Sequence, residues 1–209
     1  MANLATVFRE RTGKRYLANI NHLDNLKSIL QRGLLSYTMA QRIEHRSVAL
    51  ESVQEKRQAK VLFSGLALHD YASLYIAPRN PMMYYLKCHM NVEELYVLMV
   101  SPEVLDTDSV IMTDGNAASG ITRFFSAEEG LQRLDFDQIY AKYWNDQDPY
   151  VKEEKARVKC AEVLVPSLIL PEFIVGAVAP SEGTKDHMKK LGFDKKILVH
   201  GDTFFLEAR

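Results

Sequence analysis

The stretch Lys159-Cys-Ala-Glu-Val-Leu-Val-Pro-Ser167 decides how this chain is read. It is a short apolar strand with a single acidic side chain, Glu162, set inside it. Alternation along a strand places Ala161, Val163 and Val165 on one face, and Glu162 with Leu164 on the other. A carboxylate in an apolar run is costly to bury unless it is paired or faces a cleft. Two readings of Glu162 follow: an edge strand with the carboxylate in water, or a catalytic carboxylate on a rigid strand facing a pocket.

Outward from that strand the chain reads as many short strands with helices at irregular positions. That is an α+β pattern, not the regular alternation of a doubly wound sheet. Glu94 to Val100 and Phe173 to Ala179 read as strands, as do Tyr16 to Ile20, Leu74 to Ala77 and Val110 to Thr113. Asn21 to Gly33 reads as a helix capped by Asn21 and stopped by Gly33. Further helices are expected from Pro81 or Met82, from Ser126 to Leu134 with Ser126 and Glu129 as a capping box, from Asp137 to Trp144, and from Ser181 to Leu191. Residues 1–14 read as a polar lead-in, Pro149 to Lys155 as a polar approach, and Lys196 to His200 with Thr203 to Leu206 as a hairpin over Gly201-Asp202. Met82, Met83, Tyr84 and Tyr85 are expected in the core.

Composition limits the function classes. With 209 residues, 47% hydrophobic and 25% charged, the chain reads as one globular domain over residues 1–209. No apolar run approaches the roughly 20 residues of a membrane helix, and the N-terminus lacks the apolar core of a signal peptide, so a cytoplasmic protein without a membrane partner is expected. Cys88 and Cys160 stand far apart, which argues against a disulfide framework and against structural zinc. The formal net charge of −1 gives no global attraction to nucleic acid, so any such contact must be local. The stretch from Ser36 to Lys60 offers one, with Arg42, His45, Arg46, Lys56, Arg57 and Lys60; it reads either as a solvated face or as a mobile arm that clamps a phosphate-bearing ligand. Tyr37, Tyr71 and Trp144 could stack bases, although a lone tryptophan is more often packing.

Several site types are missing from the sequence: GxGxxG after a strand, GxxxxGK[ST], HExxH, HxE with CxxC, and GxSxG. His69-Asp70 would point to opposite faces of a strand and has no evident third member for a triad.

The remaining pieces stand in a recognisable order. They are Asn21 to Leu35, Val53-Gln-Glu-Lys-Arg57, His69-Asp-Tyr71, Tyr75-Ile-Ala-Pro-Arg-Asn-Pro-Met-Met-Tyr84, Thr113-Asp114, Arg123-Phe-Phe125, Tyr143-Trp144, Lys159 to Val165 and Ser181-Glu182. In that order, from about Ala18 to Phe205, the chain resembles the DarT-type ADP-ribosyltransferase toxins. The resemblance implies a split, two-sheet ADP-ribosyltransferase core with flanking helices and NAD in its cleft. It implies an NAD-dependent transferase, acting by glycosyl or nucleotidyl transfer, that moves ADP-ribose to a base of single-stranded DNA or, in the alternative, RNA. NAD is then the ADP-ribose donor, no metal takes part, and a cognate antitoxin or phage-defence pairing is expected. A silent nucleotide-binding relative and a transferase for protein side chains are the other readings.

Carried onto this sequence, the resemblance makes Glu162 the catalytic glutamate and Arg57 the active-site arginine of a mobile segment over NAD. It sets Asn19, Asn21, Leu26, Tyr71 and Tyr75 against the cofactor, and Arg42, Arg46, Lys56, Arg79, Asn116 and Arg123 against the acceptor. Two positions depart from the family pattern. Asn19-Ile20-Asn21 stands where a His-Ile-Thr-like triplet is usual, and Asn116 stands where a second histidine follows the Thr-Asp turn. An amide donates and accepts, so Asn19 can still meet a carboxamide.

Overall fold

A nine-residue helix, α1 (Leu4–Thr12), occupies the segment read as a polar lead-in. Asn3 caps it by accepting from the Thr6 amide at 2.8 Å, and Gly13 closes it with φ of 66°. Leu4, Ala5, Val7 and Phe8 share a face, with Ala5 and Phe8 fully buried, but the charges from Arg9 to Arg11 mask that short period in the sequence. The computed structural model describes residues 3–206, so Met1 and Ala2 of the lead-in lie outside the described residues.

The chain continues through β1 (Leu17–His22), α2 (Leu26–Arg32), β2 (Leu34–Leu35), α3 (Tyr37–Ala40) and α4 (Glu51–Gln58). Asn21 is therefore a strand residue, paired with Tyr96, and not a helix cap; the turn before α2 is capped by the His22 ring, which accepts from the Asp24 amide at 3.2 Å. Gly33 does end α2. Its φ of 83° suits glycine, and a Cβ there would lie 2.1 Å from the Ile169 carbonyl oxygen. Next come β3 (Tyr71–Tyr75), earlier in sequence than expected, α5 (Pro81–His89), β4 (Leu95–Val100), β5 (Ile111–Thr113) and β6 (Phe124–Ser126). Met83 is buried in α5, whereas Tyr84 is exposed, because the expected four-residue core run covers more than one face of a helix.

Ser126 caps α6 (Ala127–Arg133) as expected, but Glu129 turns outward to Arg133, at 3.7 Å. Asp135 then caps the short α7 (Phe136–Tyr140), which stops well before Trp144. The polar approach is a helix, α8 (Pro149–Lys159), started by Asp148 with Pro149 in its first turn. After β7 (Glu162–Pro166) come β8 (Leu168–Ile169), β9 (Ile174–Ala179), α9 (Glu182–Lys190) and β10 (Lys196–Val199). No hairpin closes the described residues. β10 pairs parallel with β9, and Gly201–Phe204 coils into a short helical turn that buries Thr203 and Phe204.

Among the described residues one sheet runs in the order β10-β9-β4-β1-β3-β7-β5-β6, with β2 and β8 forming a separate pair. β7 lies between β3 and β5, so Glu162 is on an interior strand and is not an edge carboxylate in water. β1 pairs with β4 along all six of its residues but with β3 at a single pair, Ala18 with Tyr75. The sheet is thus two half-sheets joined by one rung. Its two faces differ accordingly. One carries a continuous core that includes Phe8, Leu17, Leu74, Leu98, Met112 and Val163. The opposite face carries two separate cores, one around Ile20, Met83 and Val97 and the other around Leu68, Tyr71, Ile111 and Leu164.

Candidate active site

Between those two cores lies a cavity of about 350 Å³. Its lining draws on β1 (Asn19, Ile20), β3 (Tyr71, Ser73, Tyr75), α5 (Met82, Tyr85), the 48–57 segment and Glu162. Where the β1–β3 ladder stops, the Asn19 amide donates to the Ser73 carbonyl at 3.2 Å across the gap. The cavity therefore exists because two neighbouring strands part.

Glu162 is 3% exposed and Arg57 8%. Arg57 Nη1 donates to both carboxylate oxygens, at 3.1 and 3.0 Å, while Nη2 donates to Ser73 Oγ at 2.7 Å. The Ala117 amide adds a 2.8 Å bond to Oε1. Thr113 Oγ1 accepts from the Glu162 amide at 2.9 Å and donates to the Gly115 carbonyl at 2.7 Å, which ties the strand to the turn after β5. A carboxylate offers about four acceptor positions. Three are in use, and the open one is on Oε2.

The segment that carries Arg57 forms one wall of the cavity through Val48, Leu50, Val53 and Gln54, and it is fastened at both ends. At the far end Lys60 Nζ donates to the carbonyls of Ala117 and Ser119, each at 2.6 Å. Burial, then the Arg57 charge, pulls the Lys60 ammonium below the ordinary lysine range. At the near end Asn25 exchanges two bonds with the Arg46 backbone, 2.7 Å to the carbonyl and 2.8 Å from the amide. Asn25 also donates to Asn21 Oδ1 at 2.7 Å, and Asn21 donates to Asn19 Oδ1 at 3.1 Å. A chain of amides thus runs from the cavity to the start of the wall. Toward the surface, His69 lies over Tyr37 with centroids 4.1 Å apart and the rings tilted by 31°; burial first, and then Arg57, lowers the His69 pKa from the ordinary value. Burial likewise raises the Tyr75 phenol, so it stands in the cavity as a neutral hydroxyl.

The structure brings Glu162, Arg57, Asn19, Tyr71, Tyr75 and Asn116 to one cavity. Asn21 stands behind Asn19, and Leu26 is fully buried in the continuous core, away from any ligand. Arg42 and Lys56 are exposed, and Arg46 pairs with Asp24 at 3.4 Å. Arg123 is outside the cavity lining, 4.0 Å from Asp114. Arg79 lies in another cavity, bound to the Asp202 and Lys142 carbonyls at 3.0 and 2.6 Å. Trp144 packs edge-on against Tyr84 and Phe205. Ser73, Thr113 and the Ala117 amide were not foreseen. Ser73 is the one polar residue inside Tyr71-Ala-Ser-Leu-Tyr75 and so left a faint signal, whereas a backbone amide leaves none.

Residues 19–205 match the family described as DarT, ssDNA thymidine ADP-ribosyltransferase. The chain is 31% identical over 196 residues to a DNA ADP-ribosyl transferase–DNA ADP-ribosyl glycohydrolase fusion protein of Thermosipho africanus; the match covers 91% of this chain and 49% of the fusion, about half its length. It is 34% identical over 146 residues to a DNA ADP-ribosyl transferase of Thermus sp. strain 2.9, covering 66% of this chain and 69% of that protein. Among solved structures, Thermosipho africanus DarTG in complex with ADP-ribose superposes with a TM-score of 0.80 at 28% identity, over 94% of this chain and 52% of that one. Thermus sp. 2.9 DarT in complex with ADP-ribosylated ssDNA gives 0.78 at 26% identity, over 93% and 97%.

Proposed function

The chain belongs to the DarT family of ssDNA thymidine ADP-ribosyltransferases, and on that premise we propose that it transfers the ADP-ribosyl group of NAD to a thymine of single-stranded DNA and releases nicotinamide. The observation that carries the reading is Glu162, buried in the gap between two parting strands and fixed by Arg57 and the Ala117 amide.

The bond from ribose C1 to the nicotinamide nitrogen breaks with both electrons leaving on the nicotinamide, whose ring charge is thereby neutralised. Positive charge builds on the sugar, as in glycoside cleavage, and the fixed Glu162 carboxylate stabilises it. The open position on Oε2 suits a ribose hydroxyl. The one ring N–H of thymidine is on N3, so N3 attacks C1 and gives up that proton, with Glu162 the carboxylate placed to accept it. The bond made is glycosidic, so the step is a glycosyl transfer and not a nucleotidyl transfer. Asn19, Tyr71 and Tyr75 are the groups placed to hold the donor, and no metal ligand set enters the scheme.

The Thermosipho relative joins a transferase to a glycohydrolase. That fusion supports a toxin role for this chain and an antitoxin partner of glycohydrolase chemistry. Among the described residues no helix is long and apolar enough to cross a membrane, and both cysteines are free. With NAD and DNA as substrates, these features support one catalytic domain at work in the cytoplasm.

The test is incubation with labelled NAD and, separately, single-stranded DNA, duplex DNA, RNA and mixed protein, followed by nuclease digestion and mass analysis. Label on thymidine from single-stranded DNA is the expected result. Label on another base or on RNA would correct the acceptor, and intact NAD with no label would overturn the reading.

A further inference from the structure

Lys159 directly precedes Cys160, which lines the active-site cavity, yet its own side chain lines a second cavity of about 310 Å³. Lys159 is 2% exposed, and its ammonium donates to the carbonyls of Ile139 and Ala141, at 2.9 and 2.6 Å. Among the described residues no carboxylate pairs with it, and one of its three N–H groups has no acceptor. Arg79, Lys14 and Lys142 line the same cavity. Lys14 sits over the Tyr140 ring at 5.1 Å, and Lys142 over Tyr143 at 5.7 Å, and both side chains are exposed. The one carboxylate in the lining is Asp202, 3.5 Å from Arg79.

Four cations thus face one carboxylate in a chain whose formal net charge is −1. Like charges drawn together repel, and a buried ammonium without a counter-charge is costly. The cost shows at Lys159, whose pKa is lowered to about 8 by burial and then by the Arg79 charge. An anion placed among these groups would relieve both effects at once.

We propose that this second cavity binds a phosphate group of the single-stranded nucleic acid whose base enters the active site. Spread lysines acting as point charges suit phosphate oxygens, and the volume is at the small end for ligand sites, with room for one such group. The two cavities adjoin along two stretches of the chain. Ile76 and Ala77 of the second continue the chain from Tyr75 of the first, and Lys159 adjoins Cys160, one Cα step of about 3.8 Å away. The proposal rests on the nucleic-acid acceptor argued above, while phosphate binding itself can be measured without it.

The experiment compares the full chain with a Lys14→Gln/Lys142→Gln variant, both changes being of exposed side chains. Binding of a fluorescent single-stranded oligonucleotide is followed without NAD through a salt series, and inorganic phosphate and dTMP are titrated in parallel. A single strand contributes a slope of about 0.7 per phosphate neutralised, so losing one contact should flatten the salt dependence by about that amount and weaken binding about fivefold at low salt. Unchanged oligonucleotide binding with lost phosphate or dTMP binding would overturn the strand assignment and leave a site for free phosphate. No change with any of the three probes would overturn the site. Wild-type protein that binds phosphate but no oligonucleotide would count against the nucleic-acid acceptor and not against the cavity.

Discussion

Arg57 and Glu162 lie 105 residues apart in sequence, and a single guanidinium nitrogen of Arg57 spans both carboxylate oxygens at 3.0 and 3.1 Å. The second nitrogen is committed to Ser73. The pair therefore fastens the 48–57 segment to an interior strand inside the cavity.

Glu162→Gln keeps the volume and one acceptor but removes the charge. Transfer should fall by about 10²–10³, the usual loss when a preorganised electrostatic stabiliser is removed. Circular dichroism should report an intact fold. Transfer within about tenfold of wild type, roughly 1.4 kcal/mol of barrier, would remove Glu162 from the mechanism.

Arg57→Ala leaves Glu162 buried with the Ala117 amide and no cation. Losing one partner of a buried pair costs about 3–5 kcal/mol, and water admitted where the wall loosens should bring the loss toward the lower figure. Denaturant titration measures it. A loss below about 1 kcal/mol would mean the pair behaves as an exposed ion pair.

Asn25 touches no part of the cavity, yet its reciprocal bonds hold the Arg46 end of the wall. Asn25→Ala also loses the bond to Asn21, but the two bonds to the wall, worth about 1 kcal/mol each, should raise KM for NAD about thirtyfold and change kcat little. Proteolysis between residues 42 and 50 should quicken in parallel. Equal falls in kcat and kcat/KM would show instead that the wall acts only in the transition state.

Cys160 lines the cavity, but burial, and after it the Glu162 charge, pushes its thiol up to about 12. Cys88 is exposed. Alkylation of the native protein at pH 8 should mark Cys88 and spare Cys160, because the thiolate is the reactive form. Mass analysis showing both labelled at similar rates would contradict this environment for Cys160.

His69 has its pKa lowered by burial and by Arg57, so the fold holds it neutral. As pH drops through about 6.5, the unfolded chain takes up a proton that the folded chain refuses, and stability falls until the lower folded pKa is passed. The thermal midpoint should decline from pH 7.5 to pH 5, and His69→Gln should flatten part of that decline. An identical acid limb in the variant would show that His69 carries none of it.

How far the chain could be read in advance followed from where each signal resides. Glu162 was visible because one charge interrupts an apolar run, and Ser126, Ser181 and Gly33 were visible because caps have a fixed chemistry. α8 was hidden because its face toward the protein is narrow and most of its residues are charged or exposed, leaving Asp148 and Pro149 as the clues. The short turn at Gly201–Phe204 mimics the ends of a hairpin in sequence, and the burial of Thr203 and Phe204 decides otherwise. Arg79, read as a hand for the acceptor, lines a neighbouring cavity and not the one around Glu162, since a basic residue in sequence does not say which side of a strand end it serves. The partners of Glu162 were least legible, because an amide such as that of Ala117 is common to every residue except proline.

The single rung between Ala18 and Tyr75 gives the molecule the mechanics of a book. The continuous core is its spine, holding the two half-sheets in line, while the opposite face gapes between separate cores like pages held ajar. Spine residues such as Leu17 and Leu98 line no part of the active-site cavity, yet their volumes set how wide the pages stand. Fit to the donor can therefore be tuned from behind, by substitutions that leave every group in the active site untouched.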